Sequence, residues 1–169
     1  MATAWTIDWE QRPAEEAALY NPAFCGELLA RSVAAYRKAS DRALALPLAF
    51  VVLPLTLAPA IRAQLPGKSN TTFATWAAQH EVLLTELPER VLALRPVTRE
   101  ALLFLVQHRA LVLSGLGLEP GAKPLKLGAK RSASSTDVED MQRAAGLVGR
   151  WLANQINVGA VLLAMGVRP

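Results

Sequence analysis

The residue types that most often carry out chemistry are scarce in this chain. Its 169 residues include one cysteine, Cys25, and two histidines, His80 and His108. The histidines do not form an i,i+4 metal-binding pair, and neither belongs to an H-E-x-x-H motif. A metal site would have to collect Cys25, both histidines and an acid from distant parts of the chain. We therefore expect no metal site.

The remaining candidates for catalysis have simpler interpretations. Cys25 lies one turn inside a predicted helix, where a thiol pKa can fall, but a small buried side chain is the ordinary interpretation. The glycines of "SGLGLEPG", residues 114–121, lack the G-x-x-x-x-G-K-[ST] pattern of a phosphate-binding loop and are typical of turns. No carboxylate pair has a recognisable setting. The residues therefore predict a protein that is not an enzyme and has no cofactor.

Positive charge is concentrated in residues 120–135. The chain has a formal net charge of +4, and this segment holds four cations and no acid: Lys123, Lys126, Lys130 and Arg131. We predict that these side chains contact DNA phosphates, which would make binding salt-dependent. A solvated loop without a ligand is the alternative. No aromatic side chain lies among them, which disfavours single-stranded nucleic acid.

The segment around these cations has the pattern of a hairpin that follows a helix. Apolar residues alternate along 111–127 and are separated by Ser-Gly and Glu-Pro-Gly turns. A helix followed by a hairpin with a basic tip is the layout of a winged helix-turn-helix. The predicted fold is mainly α with a small β-hairpin: a compact helical domain over residues 21–169, with a basic hairpin or loop near 111–135 and the winged helix as one possible form.

Three helix starts carry capping signals. Asn21 is placed as an N-cap, with Pro22 at the first helical position. Thr98 is placed as the N-cap of a later helix, because Arg95-Pro96 interrupts the segment before it. A stretch rich in Ser, Thr and Asp at residues 132–137 begins the last long helix, with acids in its first turns.

Both ends of the chain carry apolar side chains that suit an interface. Six residues are candidate contacts with a partner subunit: Trp5, Ile7, Trp9, Trp151, Met165 and Val167. The first three alternate within residues 1–20, which are predicted to form an extended arm, and therefore share one face. The other three belong to the last long helix and an apolar C-terminal segment. Packing against the chain's own domain is the alternative at both ends.

Residues 43–61 form a run without a charge, bracketed by Arg42 and Arg62. The run is long enough for a membrane span, but it contains three prolines, and an interior proline costs a helix about 3 kcal/mol. We expect short segments buried in a protein core, either a strand or two turns of helix, with the arginines marking the return to water. A single cysteine and no visible signal peptide are typical of a cytoplasmic protein.

Four stretches, in this order, resemble one bacterial family: "YNPAFCGELLARSVAAYRK" from residue 20, "LPLAFVVLPLTL" from residue 46, "TREALLFLVQHRALVL" from residue 98, and "LVGRWLANQ…VGAVLLAMGVRP" from residue 147. Together they resemble the middle component of three-component ABC systems, a class that includes Lamassu-type anti-phage defence. The resemblance covers residues 20–169 and lies in the combination of the four stretches.

The resemblance implies a small non-catalytic subunit of an anti-phage or anti-plasmid complex. Such a subunit would bridge an SMC-like ABC ATPase and an effector that is often a nuclease, and double-stranded DNA would be contacted through the complex. ATP, Mg²⁺ and nuclease chemistry would belong to those partners. The alternative from the residues alone is an autonomous winged-helix DNA-binding regulator, which needs base-reading side chains on the helix before the hairpin.

Overall fold

The computed structural model describes residues 11, 13–127 and 135–167. Within these ranges the elements, in chain order, are α1 (Ala14–Leu19), α2 (Pro22–Ser40), β1 (Leu44–Ala45), α3 (Leu46–Leu57), α4 (Pro59–Arg62), α5 (Phe73–Gln79), α6 (Glu81–Gln107), β2 (Leu111–Ser114), β3 (Gly117–Pro120), α7 (Thr136–Ala153) and α8 (Val158–Ala164). The prediction of a mainly α fold with a small β-hairpin is confirmed.

Two helices begin where their capping residues predict. The Asn21 side chain accepts a hydrogen bond from the backbone N–H of Ala23 at 2.8 Å, and Pro22 is the first residue of α2. At the start of α7, the hydroxyl of Ser135 accepts a hydrogen bond from a backbone N–H of the first turn, which also carries acids. Acids are favourable there because the helix N-terminus has a partial positive charge.

Small residues allow α2 and α7 to pack at very short range. A Cβ atom built on Gly149 would lie 2.3 Å from the backbone oxygen of Ser32. The Ser32 hydroxyl donates a hydrogen bond to the carbonyl oxygen of Ala145 at 2.6 Å. Ser32 and Ala145 are completely buried. The closest approach of the two helices therefore depends on the missing side chain at position 149.

α3 decides between the two interpretations of the uncharged run. It is a helix of 12 residues, packed between α2, α6 and α7, so it is longer than two turns and is not a strand. Pro54 lies inside it and removes one helical hydrogen bond, at a cost of about 3 kcal/mol. Six large apolar side chains of α3 are buried, and at 1.5–3 kcal/mol each they contribute about 9–18 kcal/mol. Burial therefore outweighs the proline.

The two arginines at the ends of this run both cap helices. Nη1 of Arg62 donates to the carbonyl oxygens of Thr56 and Leu57 at 2.9 and 2.8 Å, and the Arg62 side chain is only 9 % exposed. Nη2 of Arg42 donates to the carbonyl oxygen of Ala153 at 3.0 Å. The last carbonyls of a helix lack intrahelical donors, so cations are favourable there. The expectation that Arg62 marks the return to water is therefore wrong, whereas Arg42 is exposed.

α6 is one continuous helix of 27 residues. The sequence predicted instead an interruption at Pro96 and a new helix starting at Thr98. Thr98 lies inside the helix and is completely buried, so its assignment as an N-cap is wrong. The interior prolines Pro88 and Pro96 together cost about 6 kcal/mol. Six large apolar side chains of α6 are buried and offset that cost with about 9–18 kcal/mol.

The three strands form one antiparallel sheet in the order β1-β3-β2. The predicted hairpin is confirmed: β2 and β3 pair from Leu111 with Pro120 to Ser114 with Gly117. Leu118 of β3 also pairs with Leu44 of β1. β2 therefore lies at the edge of the sheet, directly after α6.

The extended arm predicted over residues 1–20 is wrong in its last part. Residues 14–19 form α1, and the backbone N–H of Ala17 donates to the carbonyl oxygen of Pro13 at 2.9 Å. Acidic residues in the first turn favour this helix. Across the described part of the chain, no helix has the length and apolar character that a membrane crossing requires.

Candidate partner interface

The hairpin is built around a two-residue turn of Gly115 and Leu116. Gly115 has φ +62°, a left-handed conformation that glycine adopts without steric cost. Glycine at the first turn position is typical of a type II′ turn, whose twist matches that of the flanking strands. Ser114 and Gly117 pair on either side of the turn. The turn therefore fixes the register and leaves β2 with one strand neighbour among the described residues.

The outer part of this hairpin is apolar and exposed. Val112, Leu113 and Leu116, which we call the hairpin surface, are 46, 52 and 89 % exposed. Adjacent strand residues point to opposite faces, so β2 presents apolar side chains on both faces. Edge strands are normally protected by charges, proline or a covering element, and the residues of β2, LVLS, include neither a charge nor a proline. Such an edge is typical of a site where another chain pairs.

The outer side of α6 also exposes apolar side chains. Leu92, Leu103 and Val106 are 64, 59 and 43 % exposed. At about 100° per residue, the three positions fall within about 60° of one another around the helix. α6 ends at Gln107 and packs against β2. Leu103 and Val106, in the last turns of α6, are therefore close to the start of the hairpin, whereas Leu92 lies about 21 Å before Val106 along the helix.

The two described cations among the four predicted to contact DNA lie behind the hairpin and not at its tip. Lys123 and Lys126 are exposed and follow β3. The backbone N–H of Lys123 donates to the carbonyl oxygen of Arg109 at 2.9 Å, so the exposed Arg109 belongs to the same basic group. Lys130 and Arg131 lie outside the described residues. The prediction of a basic hairpin tip is wrong because β3 ends before the first lysine.

Two of the predicted partner contacts are core residues. Trp151 is 0 % exposed, and its ring centroid lies 5.6 Å from that of Phe73 and 5.0 Å from that of Trp76. Its Nε1 donates a hydrogen bond to the Thr71 carbonyl oxygen at 2.8 Å. Met165 is also 0 % exposed. The prediction that Trp151 and Met165 contact a partner is wrong, because the chain's own core encloses both side chains.

The C-terminal part of the described chain forms one wall of an apolar groove. α8 ends in a Schellman motif: the N–H of Val167 donates to the carbonyl oxygen of Leu162 at 2.8 Å, and that of Gly166 to Leu163 at 3.0 Å. Gly166 has φ +69°, and a Cβ on it would lie 2.6 Å from Cγ of Pro88. Glycine therefore lets the chain turn tightly against α6, where Val167 is half-buried.

The groove between α3, α6 and this segment has a volume of about 470 Å³ and is lined by Leu46, Pro47, Phe50, Pro88, Val91, Leu92, Arg95, Gly166 and Val167. Its size is within the range of pockets that bind ligands. Of the six predicted partner contacts, Val167 is the one that the structure places at an open surface. Trp5, Ile7 and Trp9 lie outside the described residues.

Residues 9–169 match the family model described as ABC-three component (ABC-3C) system Middle Component 3. The chain belongs to this family. No curated protein and no solved structure matches it. The family resemblance identified from the four sequence stretches is therefore confirmed, and the protein is a middle component of a three-component ABC system.

In this middle component, the residues that first suggested chemistry have structural partners. Burial raises the pKa of the Cys25 thiol to about 12, and the negative charge of Glu100 contributes to the rise. Nδ1 of His80 lies 2.7 Å from the carbonyl oxygen of Trp76, and Nδ1 of His108 lies 2.8 Å from that of Phe104. Among the described residues, no group of three or more His, Cys, Asp or Glu side chains could hold a metal ion.

A larger cleft of the middle component, about 1010 Å³, lies between α4 and α7 and is lined by both charge signs. Three ion pairs occur in or beside it: Arg62 with Asp137, Arg143 with Asp140, and Arg31 with Glu27. Its charges therefore compensate one another, which favours a structural role over recognition of a highly charged ligand.

The sequence did not single out the hairpin surface or the groove. The alternation of residues 111–118 predicted the hairpin, but alternation does not show which side of a strand is covered by other elements. The groove combines α3, α6 and the end of α8, which are distant in sequence. Their proximity depends on the α6 helix continuing through its prolines, which was not predicted.

Proposed function

We propose that this middle component is a non-catalytic subunit that joins an SMC-like ABC ATPase to an effector, often a nuclease. The complex would act in the bacterial cytoplasm in anti-phage or anti-plasmid defence, as Lamassu-type systems do. Membership of a multi-component family supports the existence of partners. The observation that carries the proposal is the exposed apolar edge formed by β2 and the hairpin surface.

The hairpin surface offers a partner two kinds of contact. Ser114 and Gly117, which flank the two-residue turn, form a hydrogen-bonded pair. Hydrogen-bonded and non-hydrogen-bonded pairs alternate along an antiparallel ladder, so Leu113 and Leu111 belong to non-hydrogen-bonded pairs and their N–H and C=O groups point away from β3. A partner strand can pair with these groups by strand addition, while Val112, Leu113 and Leu116 contact its side chains. Backbone pairing would supply affinity and the apolar side chains would supply specificity.

Charge substitutions on the hairpin surface test this proposal. Leu116→Asp and Leu113→Asp place a carboxylate on exposed positions, so the fold should be retained. When the substituted chain is co-expressed with the ABC ATPase and the effector of its system, we expect co-purification of at least one of them to be lost. Ile156→Asp is the matched control, because Ile156 is 99 % exposed and lies outside the hairpin. Unchanged recovery of both partners with both hairpin variants would overturn the proposal.

The basic group at the base of the hairpin supports a contact with double-stranded DNA through the complex. Replacing Lys123, Lys126, Lys130 and Arg131 with Ala should leave assembly intact and weaken DNA binding by the complex. The slope of log K against log salt should become shallower by about 0.9 for each lost phosphate contact. Failure of assembly in this variant would instead make the segment a protein interface.

An autonomous winged-helix DNA-binding regulator is the second candidate, because a helix followed by a hairpin is present. The outer side of α6 argues against it, since Leu92, Leu103 and Val106 occupy positions where a recognition helix needs polar side chains that reach base edges. Specific binding of the isolated protein to an operator duplex, without co-purifying partners, would favour this regulator over the assembly subunit.

A further inference from the structure

We infer that the apolar groove between α3, α6 and the end of α8 is the docking site of the chain's own N-terminal arm, residues 1–10. This inference is independent of the proposed function, since it concerns a surface outside the hairpin. Residues 1–8 of the arm precede the family match, which begins at residue 9.

The side chains of the arm and the groove have complementary chemistry. In an extended chain, Trp5, Ile7 and Trp9 share one face and span about 13 Å. The groove offers an apolar lining that includes Phe50 and Val167. Large apolar rings gain most from such a lining, because each removes a large area from water. The alternating apolar face therefore fits the groove.

The opposite face of the arm carries negative charge that matches the groove's rim. Asp8 and Glu10 alternate with the apolar residues. Arg95 is the one charged residue among the described residues that line the groove, and it is exposed. With the apolar face of the arm against the groove, the two carboxylates remain at the surface, where Arg95 can attract them.

The chain between the arm and α1 is long enough for this contact within one molecule. Burial raises the pKa of Tyr20, Glu16 adds to the rise, and the positive charge of Arg90 opposes it, so the end of α1 lies near Arg90. Leu92 lines the groove and lies on the opposite side of α6 from Arg90, because two residues along a helix correspond to a rotation of about 200° around its axis. The arm therefore has to pass around the exposed side of this helix.

The distances allow that path. A helix with its side chains is about 10–12 Å across, so half its circumference is about 16–19 Å. Pro13 is eight positions after Trp5, and an extended chain of eight steps covers about 26–29 Å. The extended chain therefore exceeds the half circumference by about 10 Å. This excess is needed because the arm starts at Pro13, and Pro13 and Tyr20 lie at opposite ends of α1, which is about 9 Å long for its six residues. Docking in the same molecule therefore needs no second copy.

Acrylamide quenching of tryptophan fluorescence tests the inference. The chain has four tryptophans, and Trp76 and Trp151 are 2 and 0 % exposed. If the arm docks, we expect the quencher-accessible fraction of the wild-type emission to be near zero. Leu92→Asp places a charge in the groove and should raise that fraction to about one half, since two of the four tryptophans are then released. Val82→Asp is the matched control, because Val82 is 77 % exposed on the same helix but outside the groove.

Further variants separate release of the arm from unfolding. In a Trp5→Phe, Trp9→Phe background, Leu92→Asp should leave the accessible fraction unchanged; an increase there would mean that the core itself has opened. If Leu92→Asp opens the core, Arg95→Glu replaces it as the test variant. Arg95→Glu should release the arm, and adding Asp8→Lys and Glu10→Lys should restore the protection of the tryptophans from acrylamide. A wild-type fraction already near one half would overturn the inference. So would protection that depends on protein concentration, which indicates a second copy, or protection that arises only with another subunit.

Discussion

The contact between α2 and α7 predicts opposite effects for two glycine substitutions on one helix. Gly149 and Gly146 both lie inside α7, one turn apart. A Cβ at 149 would lie 2.3 Å from the backbone oxygen of Ser32 and 2.9 Å from its Cα. A Cβ at 146 meets one neighbour, the flexible end of Arg150, at 3.4 Å. Gly149→Ala must therefore push two backbones apart, whereas Gly146→Ala needs no movement.

The expected magnitudes follow from three contributions. Overpacking a well-packed site costs about 1–3 kcal/mol, and separating the helices also weakens the hydrogen bond from Ser32 to Ala145, about 1 kcal/mol. Alanine in a helix interior is favoured over glycine by about 1 kcal/mol. Gly149→Ala should therefore lower the free energy of unfolding by about 1–3 kcal/mol. Gly146→Ala should raise it by up to about 1 kcal/mol.

Urea unfolding followed by circular dichroism measures both effects. The midpoint should fall for Gly149→Ala and rise for Gly146→Ala, with an unchanged slope, because neither substitution alters the surface exposed on unfolding. If Gly149→Ala is as stable as the wild type, the two helices are not in contact at this point and the description of their packing is incorrect.

Two buried groups give further predictions. The Thr98 hydroxyl has no hydrogen-bond partner among the described residues. Thr98→Val should therefore raise the free energy of unfolding by up to about 3 kcal/mol and shift the urea midpoint upwards. Thr56→Val is its control and should not stabilise, because the Thr56 hydroxyl donates to the Val52 carbonyl oxygen at 2.8 Å; equal effects of the two substitutions would contradict this reasoning. The raised pKa of Cys25 makes the stability of the protein depend on pH. The unfolded thiol ionises near its ordinary pKa of 9.0, whereas the folded thiol keeps its proton up to about pH 12. The stabilising contribution of Cys25 is therefore complete below pH 9 and is lost towards pH 12. The difference in unfolding free energy between wild type and Cys25→Ala should therefore shrink by about 1.4 kcal/mol per pH unit over that interval, and a constant or growing difference would show that Cys25 is not buried.

Local signals in the sequence predicted those features that depend on neighbouring residues. The capping side chain of Asn21, the proline after it, and the acids near residue 137 specify helix starts within one turn. Gly115 specifies the hairpin turn in the same way. These features could be predicted because their hydrogen bonds are made within a few residues.

Features that depend on tertiary burial were predicted less well. The prolines of α3 and α6 argue locally for interruptions, but burial of apolar side chains along both helices outweighs their cost. The roles of Arg62 and Trp151 also depend on elements far away in sequence, since Arg62 caps α3 and pairs with α7, and Trp151 packs on Phe73. For the same reason, the sequence predicted a hairpin with alternating apolar residues and apolar chain ends, but it did not show which of their side chains are exposed.

Hydrogen–deuterium exchange of β2 in the assembled complex tests the central proposal most directly. If a partner strand pairs with this edge, the amides of Leu111 and Leu113 should exchange more slowly in the complex with the ABC ATPase or the effector than in the free middle component. Leu116→Asp should remove that protection together with the partner. A complex that forms while exchange across residues 111–114 stays as fast as in the free protein would contradict the proposal that this hairpin is where the middle component joins its system.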